Sequence, residues 1–346
     1  MTVRGPTIDR ITLKHGAGGP AMRALVSQLF ASGMRDPEGG VGLSAMDDGA
    51  AFPLGDGRFL VLTTDSHVVS PLFFAGGDIG RLAVCGTVND LAMMGATPLA
   101  LSLSLILEEG LPFETLDRVL ASVRATADAA GVKIVTGDTK VVDRGKADGL
   151  YINTAGIGAV PAGLTLGPDH VRSGDAVIVS GDLGRHGIAV LAEREGIGFE
   201  TTIESDVACL HRLVAQLLAA GIEIHCLRDL TRGGLASAMV EIAGASRLGI
   251  TLEEKAIPVS APVDAACELL GLDPLHVANE GRMVLFCPEA QAAAALECLH
   301  ADPLGAGAAR IGRVHAESPG RVALQTRIGV SRALDMLSGE QLPRIC

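Results

Sequence analysis

Between Pro112 and Gly131 the apolar residues Phe113, Leu116, Leu120, Val123 and Ala127 recur at intervals of three and four, on one face of a helix. With Pro112 near the start and Gly131 past the end, the spacing predicts a helix over 112–130. A second pattern is continuous instead of periodic. RFLVLTTD at 58–65 is a β-rich run ending in an acid, and predicts a strand. DIGRLAVCGTVNDLAMMG at 78–95 predicts a helix whose small side chains let it pack closely against a sheet. Strands are expected at 132–136 and 150–158, so strands alternate with helices from about residue 46.

The stretch VPAGLTLGPDHVRSGD at 160–175 is rich in Pro and Gly and separates two regular patterns. Beyond it AVIVSG reads as a buried strand. Helices are expected near 204–220, 232–246 and 289–299, and strands at 249–253, 282–287 and 309–314. The expected organisation is a Gly-rich lead segment over 1–45 with a helix near 20–31, an N-terminal domain over 46–165, a C-terminal α+β domain over 166–328, and a flexible C-terminal tail over 329–346. A last short helix is expected near 330–338, stopped by Gly339, with Pro343 keeping EQLPRIC out of helix. The fold class is α/β (α+β).

Composition narrows the function. A chain of 346 residues can build two cores, and with no Trp, one Tyr and 8 Phe they must be packed by Leu, Val, Ile and Ala. Stacking of bases on aromatic rings is therefore disfavoured. There are 28 basic against 40 acidic residues, a net charge of -12 with no basic run, which argues against a nucleic-acid partner. Apolar runs such as AVIV at 176–179 fall well short of the roughly 20 residues that span a bilayer, and the amino terminus lacks a signal-peptide core, so no membrane association is expected. The 7 cysteines are odd in number and never spaced Cys-x-x-Cys, which suits a reducing cytoplasm. Cys85, Cys209, Cys226, Cys267, Cys287 and Cys298 read as small buried hydrophobes.

Four acids stand at the ends of apolar or strand-like runs: Asp48 in MDDGA, Asp65 in LTTD, Asp90 in VNDLAMMGA and Asp229 in LRDLTRGGL. Carboxylates so placed suit a hard cation that bridges phosphate oxygens, although each alone could equally cap a helix or turn. The segments HGAGG (15–19, with Gly16, Gly18 and Gly19), TGDTK (136–140) and TRGGLA (231–236) can offer backbone N–H groups to phosphate, or can be ordinary turns. None is a Walker A loop or a complete dinucleotide-binding fingerprint. Lys140 suits a phosphate or a solvated strand end. Glu280 in ANEGR suits a general base or a surface turn. Cys346 is the last residue, where a thiol can visit more than one active site.

The ordered set HGAGG, MDDGA, LTTD, GRLAVCGTVNDLAMMGATP, TGDTK, LRDLTRGGLA and ANEG, closed by PRIC, resembles the HypE family of hydrogenase maturation proteins over nearly the whole chain. That family shares a superfamily with aminoimidazole ribonucleotide synthetase, selenophosphate synthetase and thiamine monophosphate kinase. The resemblance implies a two-domain aminoimidazole ribonucleotide synthetase-like fold, in which the N-terminal sheets of a homodimer join into a barrel. It implies that Asp48, Asp65, Asp90 and Asp229 hold Mg2+, that Gly16, Gly18, Gly19, Asn89, Gly137, Asp138 and Thr139 help bind ATP, and that Lys140 and Glu280 lie near the incoming tail. Cys346 would accept a carbamoyl group from the carbamoyltransferase HypF. ATP would drive its dehydration to a thiocyanate, and the cyanide would pass to iron on the HypC–HypD complex. Selenophosphate synthetase is the rival reading, but its comparable segment continues into a catalytic cysteine or selenocysteine and a lysine, where this chain has Gly19, Pro20, Ala21 and Met22. A third reading makes the chain a non-catalytic thiol carrier regulated by ATP.

Overall fold

A computed structural model describes residues 10–30, 34–199 and 202–337. Cys346 and the rest of PRIC lie outside the described residues. The lead segment supplies α1 (Pro20–Leu25), entered at a proline and continued by a wider helical turn over Val26–Phe30.

The chain then forms β1 (Ala50–Pro53), β2 (Phe59–His67), a small pair β3 (Phe73–Phe74) and β4 (Gly77–Asp78), α2 (Ile79–Met93), β5 (Thr97–Glu108), α3 (Phe113–Ala130), β6 (Lys133–Val142) and β7 (Leu150–Val160). One five-stranded sheet results, in the order β1-β2-β7-β5-β6. Only β5 and β6 run parallel, because α3 is the crossover between them. Of the predicted face of α3, Val123 and Ala127 are buried and Leu116 and Leu120 half-buried against the core, while Phe113 at the start is exposed and the unpredicted Val119 is buried beside them; Gly131 ends the helix at φ 71.

Every residue of α2 except Arg81 and Asp90 is buried. Asp78 caps its start by accepting from the N–H groups of Gly80 and Arg81 at 2.7 and 3.1 Å. Glycines on the sheet make the close approach possible: a Cβ on Gly156 of β7 would stand 2.7 Å from the Thr87 methyl. The sheet's other face is bare, leaving Leu62, Leu99, Ile106 and Ile157 exposed, and the edge strand β6 exposes Val135 and Val141.

The rest of the chain forms β8 (Asp175–Val179), α4 (Arg185–Glu195), α5 (His211–Ala219), β9 (Cys226–Asp229), α6 (Gly234–Ser246), β10 (Gly249–Glu253), α7 (Ala261–Leu270), β11 (Met283–Pro288), α8 (Ala292–His300), β12 (Ala309–His315), β13 (Val322–Gln325) and β14 (Ser331–Leu334). Seven strands make the second sheet, ordered β14-β13-β10-β12-β8-β11-β9. Its centre is covered on both faces. Val177 and Val179 pack with Met239 and Ile242 of α6, while Ala176 and Ile178 pack with Leu213 and Leu217 of α5 and Leu299 of α8. Each such Val, Leu or Ile contributes roughly 1.5–3 kcal/mol by leaving water.

Two expectations fail here. The helix expected from 204 starts only at His211, because the Ser205 hydroxyl and Asp206 carboxylate accept from the N–H groups of Val207 and Glu280 and hold 205–208 irregular. In place of a helix near 330–338, residues 331–334 form β14, antiparallel to β13. Pairing and the burial of Leu334 outweigh the helical propensity of SRALDML.

Candidate active site

At the junction of the two sheets lies a cavity of about 500 Å³. Asp48 reaches it from just before β1, Asp65 from β2, Asp90 from α2, Asp229 from the end of β9, and Glu280 from the turn before β11. Gly18 and Gly19, ahead of α1, form one lip. Met22, Val26, Met46, Ala238 and Ile242 supply an apolar wall. The five acids and two of the glycines singled out in separate motifs thus face one space because strand ends, a helix and a turn converge on it.

The space is short of positive charge. Arg23, Arg228 and Arg232 line it beside a larger number of acids, and Arg228 pairs with three of them: its Nη1 stands 3.2 Å from Asp48 and 3.4 Å from Asp47, and its Nη2 3.2 Å from Glu241. Burial, opposed by Arg228, pushes Asp229 up to about 6. Burial and then the neighbouring carboxylates push Asp90 and Glu280 well above the usual range, and burial does the same to Asp48 against the pull of Arg228. Thr63 Oγ1 lies 2.7 Å from the Asp48 carbonyl oxygen and 2.9 Å from Asp90 Oδ2. Both are acceptors for the single Thr63 hydroxyl proton, whose donation to Asp90 opposes the upward push of burial. Asp48 Oδ2 and Glu280 Oε1 are buried with no hydrogen-bond partner among the described residues.

Other predicted residues stand elsewhere. Asn89 points away from the cavity. Its amide donates to the Ala208 carbonyl at 3.0 Å and accepts from the Leu210 N–H at 2.7 Å, tying α2 to the other sheet's domain. Gly16 ends a short turn outside the cavity lining. Gly137, Asp138, Thr139 and Lys140 lie on the exposed edge strand β6, where Lys140 pairs with Asp138 at 2.7 Å. Glu280 is no surface acid, being only 3% exposed. Among the described residues no three His, Cys, Asp or Glu side chains converge as a ready-made metal cage. Arg228, Asp47, Glu241 and Thr63 were not anticipated; the cation beside an acid in LRD, within a strand, was the available signal for Arg228.

Two mixed domains meeting at an acidic, glycine-lipped cavity define the AIR synthase class of protein: residues 46–160 match the AIR synthase related protein, N-terminal domain, and 172–325 the C-terminal domain. Within that class the chain belongs to the HypE family. It is 53% identical over 336 residues to the carbamoyl dehydratase HypE of Azotobacter vinelandii, covering 97% of each. It is similar to the crystal structure of HypE in complex with ATP, at a TM-score of 0.81 and 46% identity over 97% of this chain and 100% of that one. It is also similar to HypE in a HypE–HypF complex, at a TM-score of 0.84 and 44% identity over 91% of this chain and 100% of that one.

Proposed function

We propose that this protein uses ATP to dehydrate a carbamoyl group carried on its own Cys346, leaving a thiocyanate that supplies cyanide for the iron of a nickel–iron hydrogenase. The observation that carries this reading is the acidic cavity with its unpartnered buried carboxylate oxygens, in a chain 53% identical to a protein named carbamoyl dehydratase. Delivery of Cys346 is within reach. A Cβ on Gly19, at the cavity lip, would meet the Leu337 carbonyl oxygen at 2.7 Å. The nine positions from Leu337 to Cys346 can span about 30 Å when extended.

In the reaction the carbamoyl oxygen attacks the terminal phosphorus of ATP and ADP leaves. Phosphate then leaves carbon as the nitrogen gives up its protons and the C≡N bond forms. An amide oxygen is a poor leaving group and a phosphate a good one, so ATP has a chemical task. Glu280 accepts a nitrogen proton; its raised pKa makes it a stronger base than an exposed carboxylate.

The donor set fits Mg2+: hard carboxylate oxygens, an unpartnered Asp48 Oδ2 and excess negative charge. With no three-ligand cage among the described residues, the fit is to an ion that arrives with nucleotide phosphates, since Mg2+ usually takes one or two carboxylates and keeps phosphates and waters. Asp48, Asp65, Asp90 and Asp229 would hold it. Once bound, it neutralises charge on the phosphoryl group.

We assign the protein to a homodimer joined through the bare face and open edge of the five-stranded sheet. Exposed Leu62, Leu99, Ile106, Val135 and Val141 support this. The same contact accounts for TGDTK lying far from its own cavity, by bringing Gly137, Asp138, Thr139 and Lys140 to the cavity of the other copy, where Lys140 stabilises charge on phosphate. A HypF-type carbamoyltransferase loads Cys346 and a HypC–HypD complex receives the cyanide, in the cytoplasm.

The test is to incubate the full-length protein with HypF, carbamoyl phosphate and ATP, and to follow the C-terminal peptide by mass spectrometry. The carbamoyl adduct should lose one water per ADP formed, and only with ATP. Dehydration without ATP, or ATP consumed while the adduct persists, contradicts the reading.

A further inference from the structure

A thiol pair stands beside the cavity. Cys85 lies on α2 next to Gly86, which lines the cavity, and Cys209 lies in the irregular segment that leads into α5. The two are 124 positions apart in the chain, yet their sulfurs are 3.3 Å apart and share a hydrogen bond. Cys85 is buried and Cys209 half-buried, so a small reagent can reach the second and not the first. Among the other described cysteines burial pushes Cys267 up to about 11 and Cys287 up to about 12, and raises Cys226 and Cys298. Cys209 goes the other way, down to about 6. The hydrogen bond with Cys85 is the largest cause, and nearby His211 and Arg81 also favour the thiolate against burial. An accessible thiolate with a second thiol in contact is the arrangement that oxidises reversibly.

We propose that Cys85 and Cys209 are an oxidisable dithiol, a modification site for a hydroperoxide that couples oxidation to the active site. The Cys209 thiolate attacks a peroxide oxygen, the O–O bond breaks, and hydroxide leaves and is protonated to water. Cys209 is thereby oxidised by two electrons to a sulfenic acid. Cys85 then attacks that sulfur. The S–O bond breaks, the thiol proton departs with hydroxide as a second water, and the disulfide forms. In total two thiols lose two electrons and two protons, and one peroxide becomes two waters. An external dithiol reverses the change.

Closing from 3.3 Å to a disulfide bond of about 2.05 Å draws α2 and the 205–210 segment together. That segment holds Glu280: the Ala208 N–H donates to the Glu280 carbonyl at 3.3 Å, and the Glu280 N–H donates to Asp206 at 3.1 Å. Oxidation therefore displaces Glu280 and lowers turnover. This consequence rests on the role proposed for Glu280; the thiol chemistry does not.

The test uses the full-length, reduced protein with Cys346 already carbamoylated, so that the terminal thiol is capped. After hydrogen peroxide treatment and digestion without reductant, a peptide joining Cys85 to Cys209 should be the first cross-link detected by mass spectrometry, and dithiothreitol should remove it. ATP turnover should fall as it appears and return on reduction, while Cys209→Ser and Cys85→Ser keep their turnover through the same treatment. Other cysteines oxidising with no Cys85–Cys209 peptide overturns the site. A peptide that forms with turnover unchanged overturns the coupling while leaving the site standing. Should the variants fail to fold, the alkylation rate of Cys209 against pH decides. A midpoint near 6 supports the pair, and one in the ordinary thiol range, about 8.5, contradicts it.

Discussion

The cavity floor and the edge strand β6 both carry motifs that suit phosphate chemistry, yet the fold treats them in opposite ways. Asp48, Asp90, Asp229 and Glu280 are drawn under neighbouring elements until burial raises all four. TGDTK lies exposed, with Asp138 held below its ordinary value chiefly by its hydrogen bond from Lys140. Arg228 and Arg232 relieve the floor only in part, since burial still raises these acids, so it suits a cation that arrives with a phosphate-bearing partner. The edge strand demands nothing of its own chain. The difference teaches that motifs of one chemical type, scattered along the sequence, divide in space into a buried, preorganised group and an exposed one, which under the proposed dimer a second copy would use.

The largest effect should come from the floor. Glu280→Gln keeps the shape of the side chain and removes the base, so turnover of carbamoylated protein should drop by about 10²–10⁴-fold with the melting temperature held or raised. Asp65→Asn and Asp229→Asn should each lower turnover by about a hundredfold, with part of the loss recovered at high Mg2+, measured as ADP release. The edge strand is tested by mixing. Lys140→Ala and Glu280→Gln are each impaired, and co-refolding them in equal amounts should restore about a quarter of the normal rate, because half the dimers form with one intact site each. No recovery would return TGDTK to its own cavity.

A smaller effect appears in stability. The folded-state pKa of Asp229 is raised from 3.8 to about 6, so the folded chain binds more protons than the unfolded chain in that interval. The stability it contributes is fully present below 3.8 and is lost as pH rises through about 6. The melting temperature of nucleotide-free protein should fall from pH 5 to pH 7, with Asp229→Asn flattening the fall and Mg-ATP opposing it. The smallest shift is expected for Cys346→Ala, which abolishes the carrier thiol but should move the melting temperature by only about 1 °C, as terminal residues contribute little to stability.

What the sequence disclosed follows from where each signal is local. The helix α3 was legible because one face is wet and the other dry, so periodicity records its burial. The helix α2 was legible as a helix, but not as a buried one; only its small residues hinted that sheet and helices close on it from several sides. The acids at strand ends were legible one by one, whereas Arg228 and Glu241 were not, since their roles depend on three other segments arriving beside them. Glu280 between Asn279 and Gly281 looks like an exposed turn until the 205–208 segment covers it. Cys209 looks like a small hydrophobe until Cys85 arrives against it. Residues 331–334 went wrong for the same reason in reverse: local propensity favoured a helix, and a strand partner decided otherwise.

The central claim, that ATP activates the carbamoyl oxygen carried on Cys346, is tested most directly by the fate of that oxygen. Cys346 is loaded with a carbamoyl group bearing heavy oxygen, ATP is added, and the released phosphate and the C-terminal peptide are weighed by mass spectrometry. The account predicts heavy oxygen in the phosphate and thiocyanate on Cys346. Heavy oxygen found only in water, with ATP hydrolysed alongside, would contradict it.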